Sequence, residues 1–372
     1  MHRASQQPLT VLSVAYPMAD VGPDAVGGAE QVLAALDRAL VAAGHRSLVV
    51  ACEGSELAGE LLGIPAVPDA TFDAAWRERQ YAAVRLAVDQ ALRERVVDLV
   101  HLHGLDFAAY LPPAGPPALV TLHLPPEFYP LPALRPARPN TWLNGVSEAQ
   151  HRALLARLEQ PGPMPRLVPP ISNGVAVEAL AGARHARRGF ALMLGRICAE
   201  KGQHLGLAAA RMAGVPLLLG GRVFPYPEHE AYFAREVAPL LGSRHRFIGP
   251  LGFARKRRLL AAARCVLVPS RVPETSSLVA MEALACGTPA IAFRLGALPE
   301  IVEHGRTGFL VDDVVGMAEA IGAAGSIDPD HCRSVARERF SLPRTAAAYL
   351  DLYARLVDAA GPVRRRAAAQ LA

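Results

Sequence analysis

Two glutamates eight positions apart, Glu274 and Glu282, flank the predicted start of a helix. A predicted strand ends at Pro269, Glu274 lies on the loop after it, and the helix begins near residues 276–278. Free backbone N–H groups and the positive end of the helix dipole at such a position suit a diphosphate. Glu282, about one turn into the helix, could bind a ribose diol, and Glu274 would face a sugar. Taken alone, the segment could also be an acidic loop followed by an exposed helical glutamate.

Two cations follow another predicted strand. Arg196 and Lys201 lie in the segment Gly195-Arg196-Ile197-Cys198-Ala199-Glu200-Lys201-Gly202, directly after residues 190–194. Cations at a strand end would neutralise the charge that builds up on a departing nucleoside diphosphate. A solvated turn is the alternative interpretation. Lys201 and Lys256 are the only lysines of the sequence, which favours a functional role for Lys201.

The first half of the chain offers glycines and histidines. Gly27 and Gly28 open a helix, where a glycine lets the backbone approach a phosphate or sugar closely. A flexible helix start would explain them equally. His101 and His103 share one strand face, and His123 follows the next strand. We predict no metal site, because no carboxylate or cysteine set joins the histidines and a polar cleft also accounts for them.

These residues belong to a pattern of short apolar runs that alternate with longer helical stretches, which is typical of parallel βαβ units. The predicted strands are residues 10–15, 47–51, 98–102, 118–122, 141–144, 190–194, 216–219, 245–248, 265–269, 290–293 and 308–311. Two doubly wound domains that face each other would place a ligand cleft between their strand ends. The sequence therefore predicts an α/β fold of two Rossmann-like domains.

A proline-rich and then basic stretch, residues 161–188, indicates the domain boundary. We predict an acceptor-side domain over 1–165 and a donor-side domain over 166–341, with a final helix over 342–360. The segments 111–117 and 125–139 are too rich in proline for a helix and are predicted to be surface loops.

Length and composition exclude several classes of protein. The 372 residues, 51% hydrophobic and 20% charged, favour two globular domains. No stretch approaches the roughly 18 consecutive apolar residues of a spanning helix, and residues 1–10 are polar, so we expect a soluble cytoplasmic protein. Five scattered cysteines without a C-x-x-C pair predict buried thiols.

The net charge of +5 is not accompanied by a nucleic-acid-binding motif, so no nucleic acid partner is expected. The basic runs 255–258 and 364–366 are predicted to be solvated faces, which leaves contact with an anionic membrane open without indicating it. The Asp-x-Asp string at residues 328–330 is predicted to be a turn.

The segment 269–289 resembles the paired-glutamate motif of glycosyltransferase family 4, whose members are retaining enzymes of the GT-B fold. Residues 294–302 and 305–310 continue that pattern, and residues 195–202 resemble the Gly-Arg and Glu-Lys-Gly signature of the same family. The resemblance runs from Gly27 to Phe309. One departure is that Thr275-Ser276 stands where many members carry Phe-Gly.

The resemblance implies a metal-independent hexosyltransferase that uses a nucleotide sugar as co-substrate, with UDP-glucose favoured, and no other cofactor. It implies Glu274 and His123 as catalytic residues. The residues it implies for donor binding are Gly27, Gly28, Arg196, Lys201, Ser276, Ser277, Leu278 and Glu282. The acceptor would be a small molecule or a lipid-linked sugar, and residues 15–30 resemble the opening of members that glucosylate tetrahydrobiopterin.

Two alternatives stay open at this point. A glycoside phosphorylase of the same fold would act on a sugar phosphate without any nucleotide. A non-catalytic two-domain sugar-binding protein would have no turnover, so Glu274→Ala would change nothing in a turnover assay. The presence of Glu274, Glu282, Arg196 and Lys201 together favours the transferase.

Overall fold

The computed structural model describes residues 7–66, 73–182, 185–186 and 188–361, which contain two parallel β-sheets. The seven strands of the first sheet are β1 (Thr10–Val14), β2 (Arg46–Cys52), β3 (Glu60–Ile64), β4 (Leu99–Leu102), β5 (Ala118–Thr121), β6 (Thr141–Asn144) and β7 (Arg166–Leu167). Their order across the sheet is β3-β2-β1-β4-β5-β6-β7.

The second sheet has six parallel strands in the order β10-β9-β8-β11-β12-β13. They are β8 (Ala191–Leu194), β9 (Leu217–Gly220), β10 (His245–Gly249), β11 (Cys265–Val268), β12 (Ala290–Phe293) and β13 (Gly308–Val311). The strand order reverses between β1 and β4 in the first sheet and between β8 and β11 in the second. Ligands bind outside the carboxyl ends of strands at such switch points.

Helices connect the strands. In the first half they are α1 (Gly28–Ala42), α2 (Ala74–Glu94) and α3 (Glu148–Arg157). In the second half they are α4 (Val177–Ala181), α5 (Gln203–Met212), α6 (Pro227–Tyr232), α7 (Phe253–Ala262), α8 (Leu278–Ala285), α9 (Leu298–Ile301), α10 (Val314–Ala323), α11 (Pro329–Arg339) and α12 (Leu342–Ala360).

The last helix, α12, packs on the first sheet. Tyr349, Leu352, Tyr353 and Leu356 are all buried, and their spacing places them on one helix face. This face joins Val11 of β1 and apolar residues of α1, β4, β5 and β6 in a single hydrophobic cluster. The chain therefore returns to the first sheet after it has completed the second.

The eleven predicted strands are all present, within one residue at each end. The sequence did not predict β3 and β7. β3 is an edge strand with only Ile64 fully buried, and β7 has two residues, so neither carries the buried apolar run that marks the central strands. Because β7 pairs with β6, the first sheet extends two residues past the predicted boundary at 165, which otherwise stays a prediction.

Two predicted irregular segments are more ordered than expected. Residues 328–330 were predicted to be a turn, but Asp328 caps α11 and Pro329 begins it. The 125–139 loop contains a short 3-10 turn, Pro126–Phe128, and it buries Tyr129 and Leu134. Residues 111–117 form a loop. The basic run 364–366 lies outside the described residues.

The five cysteines are buried and form no disulfide, as the sequence predicted. Among the described residues no helix has the length and apolar character needed to cross a membrane.

Candidate active site

A cavity of about 600 Å³ lies between the carboxyl ends of the two sheets. All ten residues predicted to form the site line it: Gly27, Gly28, His123, Arg196, Lys201, Glu274, Ser276, Ser277, Leu278 and Glu282. They come together because the carboxyl ends of parallel strands meet at one edge of each sheet. Their chemical roles stay predictions.

Two helix starts without side-chain caps face each other in this cavity. α1 begins after Gly27 and α8 after Ser277, and neither residue caps its helix with a side chain. A Cβ on Gly28 would lie 3.4 Å from Cδ1 of Leu278, so α1 approaches α8 closely. The buried hydroxyl of Ser276 has no hydrogen-bond partner among the described residues. Free N–H groups of two helices and an unpartnered hydroxyl therefore converge on one place, which suits an anion.

Glu274 is held beside Lys201. The Lys201 Nζ atom lies 2.6 Å from Oε1 of Glu274, and the Ser270 hydroxyl donates to the same oxygen. Gly202, with φ of 65°, lets the backbone after Lys201 pack closely against the end of β11, because a Cβ there would lie 2.2 Å from the Pro269 carbonyl oxygen. The Glu274 side chain is 7% exposed and that of Lys201 is 31% exposed. Lys201 can therefore reach the cavity while it pairs with Glu274.

Lys256 lies inside the site, which corrects the prediction that residues 255–258 form a solvated face. Its Nζ atom is 2.6 Å from Oε1 of Glu282, and the two side chains are 13% and 7% exposed. Burial raises the pKa of Glu282, and the Lys256 ammonium counteracts that rise. Each of the two motif glutamates is thus paired with one of the two lysines of the chain. The scarcity of lysine was the signal in the sequence that could have identified Lys256.

Three histidines form a chain from α12 to the cavity. His101 bonds the Tyr353 hydroxyl through Nδ1 at 2.7 Å and the Thr121 hydroxyl through Nε2 at 2.8 Å. Nδ1 of His103 lies 3.0 Å from Nε2 of His123. These bonds use both ring nitrogens of His101 and one ring nitrogen each of His103 and His123.

The histidines are neutral at pH 7. Burial lowers the pKa of His123 to about 4 and the pKa values of His101 and His103 well below the usual value. In the part of the chain that the structure describes, the buried Nε2 of His103 has no hydrogen-bond partner, and an unpaired N–H costs more than an unpaired lone pair. This favours a His103 that donates from Nδ1, which leaves His123 with its proton on Nδ1.

Polar contacts join the two halves of the chain beside the cavity. The Thr275 hydroxyl donates to the backbone carbonyl of His123 at 2.8 Å. Glu300 accepts from the backbone N–H groups of Glu148 and Ala149 at the start of α3, at 3.1 and 2.5 Å. The Asp24 carboxylate accepts from the N–H of Phe253 at the start of α7, at 2.9 Å. The sequence predicted none of these contacts.

One group of three potential metal ligands occurs among the described residues, formed by Cys198, Glu200 and His229. The charge of Arg196 acts on all three and lowers the pKa of His229 together with burial, which is the larger cause. A cation at this place would be repelled by the guanidinium.

Two known families match the two halves of the chain. Residues 26–157 match "Glycosyltransferase Family 4", and residues 189–324 match "Glycosyl transferases group 1". The chain is 33% identical over 221 residues to an alpha-maltose-1-phosphate synthase of Mycobacterium tuberculosis, which covers 51% of this chain and 57% of that protein. The matches span from 24% to 57% of the length of such curated relatives.

Solved structures share the whole architecture. AviGT4, a glycosyltransferase involved in avilamycin A biosynthesis, superposes with a TM-score of 0.68 at 25% identity, over 95% of this chain and 99% of that one. HepE of Anabaena in complex with UDP and glucose superposes with a TM-score of 0.70 at 19% identity, over 93% and 99%. The chain, with its two facing parallel sheets and its paired glutamates, belongs to glycosyltransferase family 4 and has the GT-B fold.

Proposed function

We propose that the chain is a retaining glycosyltransferase that moves a hexosyl group from a nucleotide sugar to a hydroxyl of a small-molecule acceptor and forms an α-glycoside. The observation that carries this proposal is the convergence of two uncapped helix starts, Arg196 and Lys201 on one cavity. Together these groups can bind a diphosphate and stabilise the charge that it gains as a leaving group.

The proposed donor is UDP-glucose. The support comes from HepE, a protein of the same fold whose structure contains UDP and glucose. The uridine ribose would lie near Glu282, the diphosphate between Arg196, Lys201 and the start of α8, and the glucose near Glu274 and His123. No metal or other cofactor is proposed, because protein cations and helix dipoles can supply the charge stabilisation.

In the proposed reaction the bond between glucose C1 and the diphosphate oxygen breaks first and leaves an oxocarbenium-like sugar. The acceptor hydroxyl attacks from the face that the diphosphate leaves, and its proton passes to the departing phosphate oxygen. Glu274, held by Lys201, would accept hydrogen bonds from the sugar hydroxyls. The neutral His123 would donate from Nδ1.

The proposed acceptor side is formed by the first half. Tyr16, Met18, Leu105 and Phe128 line the cavity there. This surface is compatible with a small molecule, including a reduced pterin, or with a lipid-linked sugar. A cytoplasmic location, no nucleic acid partner and no indicated membrane contact remain expectations from the sequence.

The test is a thermal-shift screen of the purified chain with UDP, GDP, ADP, dTDP and their glucose conjugates, each with and without EDTA. The expected result is stabilisation by UDP that survives EDTA, amounting to about 2.7 kcal/mol when the ligand is at a hundred times Kd. Arg196→Ala should lose the shift, and Arg258→Ala, an exposed residue of α7, should keep it. A shift with glucose 1-phosphate or phosphate but with no nucleotide would instead indicate a phosphorylase.

A further inference from the structure

The Lys256–Glu282 pair differs from the Lys201–Glu274 pair in its burial. Both pairs have an Nζ to Oε1 distance of 2.6 Å. Lys201 is 31% exposed, whereas Lys256 is 13% exposed and lies on α7 against α8. The Lys201 ammonium can therefore turn toward a phosphate in the cavity, whereas the more buried Lys256 ammonium is held against Glu282.

A buried carboxylate needs such a partner to stay charged. Without Lys256, burial would favour the protonated form of Glu282. On two of the other helices that pack on α8, charged side chains have partners of their own: Glu178 of α4 pairs with Arg337, and Arg333 of α11 pairs with Asp330. The ammonium of Lys256 is the cation that opposes protonation of Glu282.

The charge state decides what Glu282 can bind. An ionised carboxylate only accepts hydrogen bonds and offers about four lone-pair positions. A protonated carboxyl has fewer acceptor positions, and its O–H group needs an acceptor of its own. Lys256 occupies one position on Oε1. The remaining lone-pair positions of Glu282 can accept hydrogen bonds from neighbouring hydroxyls. A ribose offers two such hydroxyls, whereas a 2′-deoxyribose offers one.

We propose that Lys256 is a positioning residue that keeps Glu282 ionised and oriented, and that the pair thereby makes the site select ribonucleoside over 2′-deoxyribonucleoside diphosphates. This rests on the proposed function, because it places the nucleoside of the donor beside Glu282. It adds to that function a residue outside the motifs and a criterion for the donor.

The experiment measures Kd by calorimetry for UDP and for 2′-deoxy-UDP, in EDTA. A hydrogen bond to a charged group corresponds to roughly a tenfold or larger change in affinity. We therefore expect the unaltered chain to bind UDP at least ~10-fold more tightly than 2′-deoxy-UDP. In Lys256→Met the ratio should fall to about fivefold or less, as expected for a bond between neutral groups.

The control is Arg258→Met, which removes an exposed cation of the same helix and should keep the ratio of the unaltered chain. Lys256→Arg keeps the charge and should retain most of the ratio, and Glu282→Gln should lose it as Lys256→Met does. These two variants also test the proposal should Lys256→Met fail to fold.

An unchanged ratio in Lys256→Met or in Glu282→Gln would overturn the role of the pair and leave the donor site standing. Failure of the unaltered chain to bind UDP at all would overturn the proposed function itself. UDP binding by the unaltered chain therefore separates failure of the proposed role of the pair from failure of the proposed function.

Discussion

Acid should destabilise the fold through the buried histidines, and His103→Asn isolates the contribution of one of them. The asparagine amide nitrogen can take the place of Nδ1 and keep the bond to His123, but it cannot titrate. In the folded chain burial keeps the pKa of His103 well below its ordinary value. The unfolded chain takes up a proton near pH 6.5, so stability is present above about pH 6.5 and is lost as the pH falls below it.

The size of the stability loss follows from the pKa of a histidine in the unfolded chain. At pH 5.5 an unfolded histidine lies one unit below its pKa, which corresponds to a loss of about 1.4 kcal/mol in the free energy of unfolding relative to pH 7.5. His101 and His123 contribute equally to both proteins and cancel in the comparison, as do the buried carboxyls of Glu30, Asp106 and Glu282, whose raised pKa values act in the opposite direction.

Urea unfolding at the two pH values measures this difference. Both tryptophans, Trp76 of α2 and Trp142 of β6, lie in the first half of the chain, so their fluorescence follows the part that contains His103. Between pH 7.5 and 5.5 the unaltered chain should lose about 1.4 kcal/mol more than His103→Asn. His185→Asn, which alters an exposed histidine, should behave as the unaltered chain. Equal losses in the unaltered chain and His103→Asn would refute the neutral, buried state of His103.

Three further predictions concern the cleft. Glu274→Gln should lower the transfer rate by about 100-fold or more while UDP affinity is kept, measured by coupled assay and calorimetry; a matching loss of affinity would contradict a role at the sugar. Thr275→Val removes the bond to the His123 carbonyl and should lower kcat/KM by roughly 3- to 10-fold, whereas unchanged kinetics would show that this contact does not support catalysis. Glu300→Ala leaves two N–H groups at the start of α3 unpaired and should cost about 1 kcal/mol in urea unfolding, and an unchanged midpoint would count against the contact.

The strands that build both switch points could be predicted because central parallel strands are buried on two faces and appear as continuous apolar runs. The edge strand β3 and the two-residue β7 lack such runs and could not. The positions of Glu274, Lys201 and His123 could be predicted for a related reason. Each directly follows or closely follows a strand, and strand ends meet in space.

The remaining contacts depend on how distant elements pack. Lys256 reaches Glu282 only because α7 lies beside α8, and its own sequence neighbours Arg255 and Arg258 are exposed. The bonds from Glu300 to α3 and from Asp24 to α7 join residues 150 or more positions apart. Such contacts are set by the approach of the two sheets, which no local pattern encodes.

The central claim is tested most directly by proton NMR of UDP-glucose incubated with the chain in EDTA, followed through the anomeric proton of the first glucose or glucoside released. The proposal predicts release of UDP together with a product in the α configuration, and loss of both in Glu274→Gln. A β product would contradict retention, and turnover of glucose 1-phosphate in place of UDP-glucose would contradict the nucleotide-sugar donor.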